Sequence, residues 1–360
     1  MSSSTRIERW ITPAVRALSA YHVPLATGMV KLDAMENPYS WPSNIVDEWV
    51  NELRRAAINR YPDPESRALK NALRDFLDVD QSVPMLLGNG SDELIQMMAM
   101  AMAAPGRTVM APEPTFVMYR LIAEVLGYRF IGVPLREGDF QIDAEAMLQA
   151  IAMHQPAIVF LAWPNNPTGN LFDRGTVEAI IAAAPGLVVI DEAYYPFARD
   201  TWLHEFQRYD NVVIMQTLSK AGLAGLRVGM LFGSSAWLDE FNKVRLPYNI
   251  NILSQVSAAF ITRHADLLHA QTRKIAVDRE TLYQTMKTLR GVKVWPSQAN
   301  FLLFRVANDA RAVFDSLKSR GILIKCLHGA HRALENCLRV TVGNEGENTL
   351  FLDALNASLT

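Results

Sequence analysis

The stretch Leu187-Val188-Val189-Ile190-Asp191-Glu192-Ala193-Tyr194 decides the fold. Apolar residues follow one another without a polar one between them, then an acid ends the run. That is the pattern of a strand covered on both faces, as in parallel sheets. Working outward, further short apolar strands are expected at 108–111, 128–133, 157–161, 212–216 and 226–232. Helical spacing at 116–126, 143–153 and 173–184 separates most of them. Helices are also expected at 45–57 and 66–77, and Gly88-Asn89-Gly90 reads as a turn that opens a helix over 91–103. This alternation predicts an α/β fold, with a large domain built on a mostly parallel central sheet flanked by helices.

After Pro247 the pattern changes. A long helix over about 266–289 places Leu267, Leu268, Ile275, Leu282 and Met286 on roughly one face and reads as a bridge. Strands at 292–295, 301–306, 322–325 and 338–342 then interleave with helices at 309–320 and 346–359, predicting a smaller α+β C-terminal domain. The expected division is an N-terminal arm over 1–44, a large domain over 45–265 and a small domain over 266–360. The arm has scattered prolines and little periodicity, as expected of a segment that lies on something else.

A chain of 360 residues is long enough for two cores. Half of it is hydrophobic and a fifth is charged, as in soluble globular proteins. The net charge of −2 gives no electrostatic case for nucleic acid or a membrane surface. Cys326 and Cys337 form neither a disulfide framework nor a zinc spacing. Met1-Ser2-Ser3-Ser4-Thr5-Arg6 has no apolar stretch behind it, so no secretory leader is expected and the cytoplasm is the expected location.

Three motifs carry chemistry. Taken alone, Lys220 would be a solvated lysine in a Gly-rich loop. Its small flanks, Ser219, Ala221 and Gly222, would also let a flat ring approach the backbone. Asp191, at the C-terminal end of a parallel strand, faces the crevice where such sheets bind ligands; an N-cap role is the plainer alternative. Asn166 lies in the turn Pro164-Asn165-Asn166-Pro167-Thr168-Gly169, at the same edge. Together these groups can hold and protonate a pyridoxal ring, with Tyr194 and Asn166 within reach of its phenolic oxygen. Ser91 and Asp92, at a Gly-led helix N-terminus, suit a phosphate, which Ser219 and Arg227 could close from the other side. Phe116 could stack on the ring, or be a core residue.

Pro164-Asn165-Asn166-Pro167-Thr168-Gly169, Asp191-Glu192-Ala193-Tyr194 and Ser219-Lys220 appear in this order, and the chain resembles the fold type I pyridoxal-phosphate aminotransferases from about residue 21 to 342. Leu18-Ser19-Ala20-Tyr21, Glu36-Asn37-Pro38, Asn59-Arg60-Tyr61-Pro62-Asp63, Gly222-Leu223-Ala224-Gly225-Leu226-Arg227 and Leu338-Arg339-Val340-Thr341-Val342-Gly343 are most similar to the histidinol-phosphate aminotransferase branch. The resemblance implies pyridoxal 5′-phosphate as cofactor and Lys220 as the residue joined to its aldehyde. It implies Asp191 at the ring nitrogen, Asn166 and Tyr194 at the ring oxygen, and Ser91, Asp92, Ser219 and Arg227 at the phosphate. Tyr61 would reach the phosphate of a neighbouring subunit, so a homodimer with shared sites is implied. Arg339 would bind the anionic group of the amino substrate and the carboxylate of glutamate, and Tyr21, Asn37 and Lys325 would line the substrate pocket. The implied reaction is transfer of the amino group of L-histidinol phosphate to 2-oxoglutarate, in histidine biosynthesis.

The chain departs from that branch in several places. The span from Lys220 to Arg227 is one residue short, Phe116 replaces a common tyrosine, Met35 precedes Glu36-Asn37, and Lys325 stands for an arginine. Lysine supplies the charge without the bidentate fork. An aromatic or broad-specificity aminotransferase and a threonine-phosphate decarboxylase share most of the motifs and remain open. His328 and His331 sit in a polar loop and read as solvated.

Overall fold

The computed structural model describes residues 3–20, 24–198 and 200–359, with side chains from residue 6 onward. Its strands are β1 (Val30–Lys31), β2 (Met85–Asn89), β3 (Thr108–Glu113), β4 (Arg129–Pro134), β5 (Ile158–Ala162), β6 (Leu187–Asp191), β7 (Val212–Thr217), β8 (Val228–Phe232), β9 (Val292–Val294), β10 (Phe301–Val306), β11 (Ile322–Leu323), β12 (Lys325–Cys326) and β13 (Cys337–Thr341). Seven of them form one sheet in the order β2-β8-β7-β6-β5-β3-β4. From β7 to β4 every pairing is parallel, and β8 runs antiparallel to both its neighbours. The mostly parallel sheet expected from the sequence is therefore found. Residues of β5, β6, β7 and β8 are buried throughout, which is why those strands show no alternation of polar and apolar positions.

One strand was not legible. Met85–Asn89 closes the sheet beside β8; its apolar run is only Met85-Leu86-Leu87 and passes directly into the Gly88-Asn89-Gly90 turn. Helices Ser235–Asn242 and Ile252–Thr262 were not anticipated either. The helix expected over 45–57 runs instead from Ser43 to Leu53.

Four strands, β12-β13-β10-β9, form an antiparallel sheet near the C-terminus. Behind it pack the long helix Ala265–Lys287 and the helices Ala310–Ser319 and Glu345–Leu359. Leu268, Ile275, Leu282 and Met286 of the long helix are buried, whereas Leu267 is only partly covered. The strand expected over 322–325 changes partner at Ile324. Its first half pairs in parallel with β1 of the arm, and its second half pairs with β13. The arm is thus part of the structure: it contains helices Ser3–Trp10 and Pro13–Arg16 as well as β1.

Candidate active site

Three consecutive parallel strands deliver the three motifs to one edge. Asp191 is the last residue of β6, in register with Ala162 of β5 and Met215 of β7. Asn166 follows β5 and Lys220 follows β7, so the turn, the acid and the amine converge because their strands are neighbours. They line one cavity of about 230 Å3, together with Ser91, Asp92, Phe116, Tyr119, Tyr194, Ser219 and Arg227.

Asp191 is buried and accepts a 2.5 Å bond from the Tyr119 hydroxyl and a 3.1 Å bond from the Ala193 N–H. Burial pushes its carboxyl up to about 6, and these two donors only partly offset that. Its direct partners are neutral, so the group it lacks is a cation. Burial likewise drives the Lys220 ammonium down to about 8, helped by the positive charge of Arg339. Lys220 Nζ donates to the Ala34 carbonyl at 3.1 Å and sits 5.7 Å from the centre of the Tyr194 ring. Roughly a tenth of this amine is neutral at pH 7, and the neutral form is the one a nucleophile or base requires.

Tyr194 is held by ring contact with Phe301, and burial raises its hydroxyl well above the ordinary tyrosine value. The Asn166 amide donates to that hydroxyl at 3.2 Å. In turn Asn166 accepts from Arg339 Nη1 at 2.5 Å, while Arg339 Nη2 donates to the Asp33 carbonyl at 3.1 Å. Arg339 comes from β13, so this bond ties the C-terminal sheet to the large one.

At the other end, helix Ser91–Ala101 points its N-terminus into the cavity. Its first amides have no acceptor within the helix. Gly90 holds a φ of +83°, and a Cβ added there would strike the Arg227 guanidinium. A Cβ on Gly229 would come within 2.7–2.8 Å of Gly90 and Ser91 backbone atoms, so only glycine lets β8 approach this turn. Arg227 adopts a left-handed φ of 54° and pairs with Asp92 at 3.3 Å, both side chains being about half exposed. Despite the shortened loop, Arg227 reaches the cavity. Such an exposed pair is weak and can be exchanged for an anion. Ser219 is buried next to it, its hydroxyl accepting from Thr217 Oγ1 at 3.0 Å.

Other expected residues stand elsewhere. Lys325 and Arg339 line an adjoining cavity of about 470 Å3, which shares Met35, Phe116 and Asn166 with the first. Asn37 does not line the first cavity. Its amide donates to the Ala221 carbonyl at 3.3 Å and to Gln271 at 3.0 Å, bracing the Lys220 loop. Tyr61 is 80% exposed and stacks on Tyr248, away from this chain's own cavity. Tyr21 lies outside the described residues. His328 and His331 each accept a backbone N–H bond in their loop.

Tyr119 was missed. Helical periodicity over 116–126 marks it as a core position, and a buried phenol needs an acceptor. That much was available in the sequence; that the acceptor is Asp191 was not.

The residues fit a phosphorylated, protonated heterocyclic aldehyde. A buried acid short of a cation, a phenol–amide pair, a partly neutral lysine and a glycine-lined helix N-terminus with an arginine surround one space.

A family model described as aminotransferase class I and II matches residues 27–355. The chain is 53% identical over 353 residues to histidinol-phosphate aminotransferase 2 of Nitrosococcus oceani, covering 98% of each. It is 49% identical to histidinol-phosphate aminotransferase 1 of Ralstonia nicotianae, covering 98% of this chain and 95% of that one. Among solved structures it matches that of the histidinol-phosphate aminotransferase of Sinorhizobium meliloti in complex with pyridoxal-5′-phosphate. The TM-score is 0.86 at 25% identity, over 97% of each chain.

Proposed function

This chain belongs to the class I and II aminotransferases, and on that footing we propose that it transfers the amino group of L-histidinol phosphate to 2-oxoglutarate, giving imidazole-acetol phosphate and glutamate. The observation that carries the reading is the single cavity in which Asp191, Asn166, Tyr194 and Lys220 meet a helix N-terminus. Pyridoxal 5′-phosphate is the cofactor. When bound, it supplies an aldehyde and a protonated ring that draws electrons from the substrate α-carbon.

Asp191 would hold the proton on the ring nitrogen. Asn166 and Tyr194 would donate to the ring oxygen. Amides of Ser91 and Asp92, the Ser219 hydroxyl and the Arg227 guanidinium would take the phosphate. Phe116 would cover the ring as a stacking partner. Lys220 Nζ, partly neutral at neutral pH, would take the proton from the substrate α-carbon. Arg339 takes the phosphate of one substrate and the carboxylate of the other, with Lys325 adding charge. One cation serves both halves of the reaction because both partners bring an anion. Tyr21 and Asn37 belong to the same proposed pocket, Asn37 by fixing the loop that carries Lys220.

The proposal includes a homodimer. It is supported by Tyr61, which is exposed, stacks on Tyr248 away from this chain's own cavity, and would serve the phosphate of the second copy. It also includes the division into an arm over 1–44 and domains over 45–265 and 266–360, supported by a hydrophobic cluster that draws most of its residues from beyond 265. A cytoplasmic location is supported by two cysteines that are both free. No described helix is long and apolar enough to cross a membrane.

The test is a paired assay on purified protein with L-histidinol phosphate and 2-oxoglutarate. Glutamate should form in step with imidazole-acetol phosphate. Faster turnover of phenylalanine, or carbon dioxide release from threonine phosphate without 2-oxoglutarate, would overturn the substrate.

A further inference from the structure

Residues 33–37 form a strap across the mouth of the cavity, and nearly every one of them is pinned. The Asp33 carbonyl accepts from Arg339 and the Ala34 carbonyl from Lys220, both at 3.1 Å. Met35 donates its N–H to Thr341 Oγ1 and accepts from the Asn300 amide, both at 2.9 Å. Asn37 is held by Ala221 and Gln271. Between the pinned Met35 and Asn37, the Glu36 side chain faces the same cavity as Lys220 and Asn166, and remains 47% exposed. Its one ion-pair partner among the described residues is Lys31, which also pairs with Asp33.

Three acids line that cavity. Asp191 is engaged with Tyr119 and Ala193, and Asp92 with Arg227 at the phosphate end. Glu36 is left facing the space where a substrate would enter. The cations Lys325 and Arg339 stand in the adjoining cavity, in register on neighbouring strands. Charge therefore differs across the mouth: cationic toward the C-terminal sheet, acidic on the strap.

We propose that Glu36 is the specificity residue for the side chain of the amino substrate, accepting a hydrogen bond from an N–H-bearing, weakly basic heterocycle. This rests on the histidinol-phosphate reading and deepens it. The substrate α-carbon carries an amine, a phosphate-bearing arm and an imidazole arm. With the amine at Lys220 and the phosphate at Arg339 and Lys325, the imidazole turns to the strap. A carboxylate there accepts its N–H in a charge-assisted bond. Lys31 is the counter-ion that Glu36 gives up when the heterocycle arrives.

Two variants test this, E36Q and K31M, each removing the same ion pair from one side. KM values for L-histidinol phosphate and 2-oxoglutarate are measured for both. E36Q should raise the KM for histidinol phosphate about tenfold more than that for 2-oxoglutarate, the size of one charge-assisted bond at a half-exposed site. K31M should leave the KM for histidinol phosphate unchanged or lower it. If the pair only pins the strap, both variants will raise both KM values together, and the inference fails. An E36Q enzyme with an unaltered KM ratio also ends it. A wild-type protein that forms no glutamate from histidinol phosphate would remove the substrate reading first, and this inference with it.

Discussion

The two walls of the cavity are built on different physical terms. The sheet wall is rigid. Asp191, Asn166 and Lys220 leave neighbouring strands that are buried on both faces; Asp191 is fixed by Tyr119 of the helix beneath the sheet, and Asn166 by Tyr194, which follows the next strand. The strap wall, residues 33–37, follows β1 without strand structure of its own, and its main-chain carbonyls accept from Lys220 and Arg339. Those two cations have ligands to bind, so the strap's bonds to them are exchangeable and the sheet's bonds are not. A site of this kind keeps the chemistry on fixed elements and puts the contacts that must change on a loop-like segment.

The same contrast shows in two adjacent carboxylates. Asp191 and Glu192 are both buried and both pushed up by burial, to about 6 and about 7. Glu192 is fully engaged by Thr201, the Trp202 N–H and Gln216, at 2.7, 2.5 and 2.8 Å, so it serves as a tie between strand ends. Asp191 keeps a face on the cavity. Alternation along the strand end, one side chain to each face, separates structure from function within two residues.

The largest effect is expected at the sheet wall. Lys220→Ala should lower kcat by about 10³-fold or more, since the proton-transferring group is gone. Borohydride should no longer fix cofactor to the protein, and mass spectrometry of the reduced protein checks this. Retained labelling at wild-type level would remove Lys220 from the mechanism.

Next comes the residue that joins the walls. Arg339→Ala should raise KM for both substrates by roughly 10- to 100-fold, as charge-assisted bonds to an anion contribute about 1.5–3 kcal/mol each. A normal KM for either one would show that the two anions are held in different places, and would separate the walls functionally.

Smaller again is Tyr119→Phe, which takes one donor from Asp191. The carboxyl should rise further, and activity should fall about three- to tenfold, the size of one buried hydrogen bond. An unchanged visible spectrum across pH would mean that Asp191 is fixed without this phenol.

The smallest signal is a titration. In protein stripped of cofactor, acetylation of Lys220 should rise with pH around a midpoint near 8, against 10.5 for an ordinary lysine. Stability carries the matching sign. Between about 8 and 10.5 the unfolded chain holds the proton that the folded chain has lost, so the Lys220 contribution makes the folded state more stable as pH rises through that window. A midpoint near 10.5 would show that burial does not act on this amine.

Much of this was legible before any coordinates. Unbroken apolar runs over 157–161, 187–190 and 212–215 specified buried parallel strands, the rule that ligands sit beyond their C-terminal ends put Asn166 beside Asp191, and the order of the motifs added Lys220. Met85–Asn89 was not legible, because an edge strand beside an antiparallel neighbour has no βαβ signature to announce it. The partner change at Ile324 was not legible either, since hydrophobicity alone does not say which sheet a strand joins.

By itself, the sequence determined the class of fold, the order of the motifs and the three groups at the sheet edge, because these follow from local patterning and strand order. Only the tertiary structure decided that Tyr119 holds Asp191, that Arg339 crosses from the other sheet to Asn166, and that the strap caps both cations. Those contacts join residues 72, 173, 306 and 186 positions apart. Periodicity reports which face of an element is buried, and carries no information about which distant element covers it.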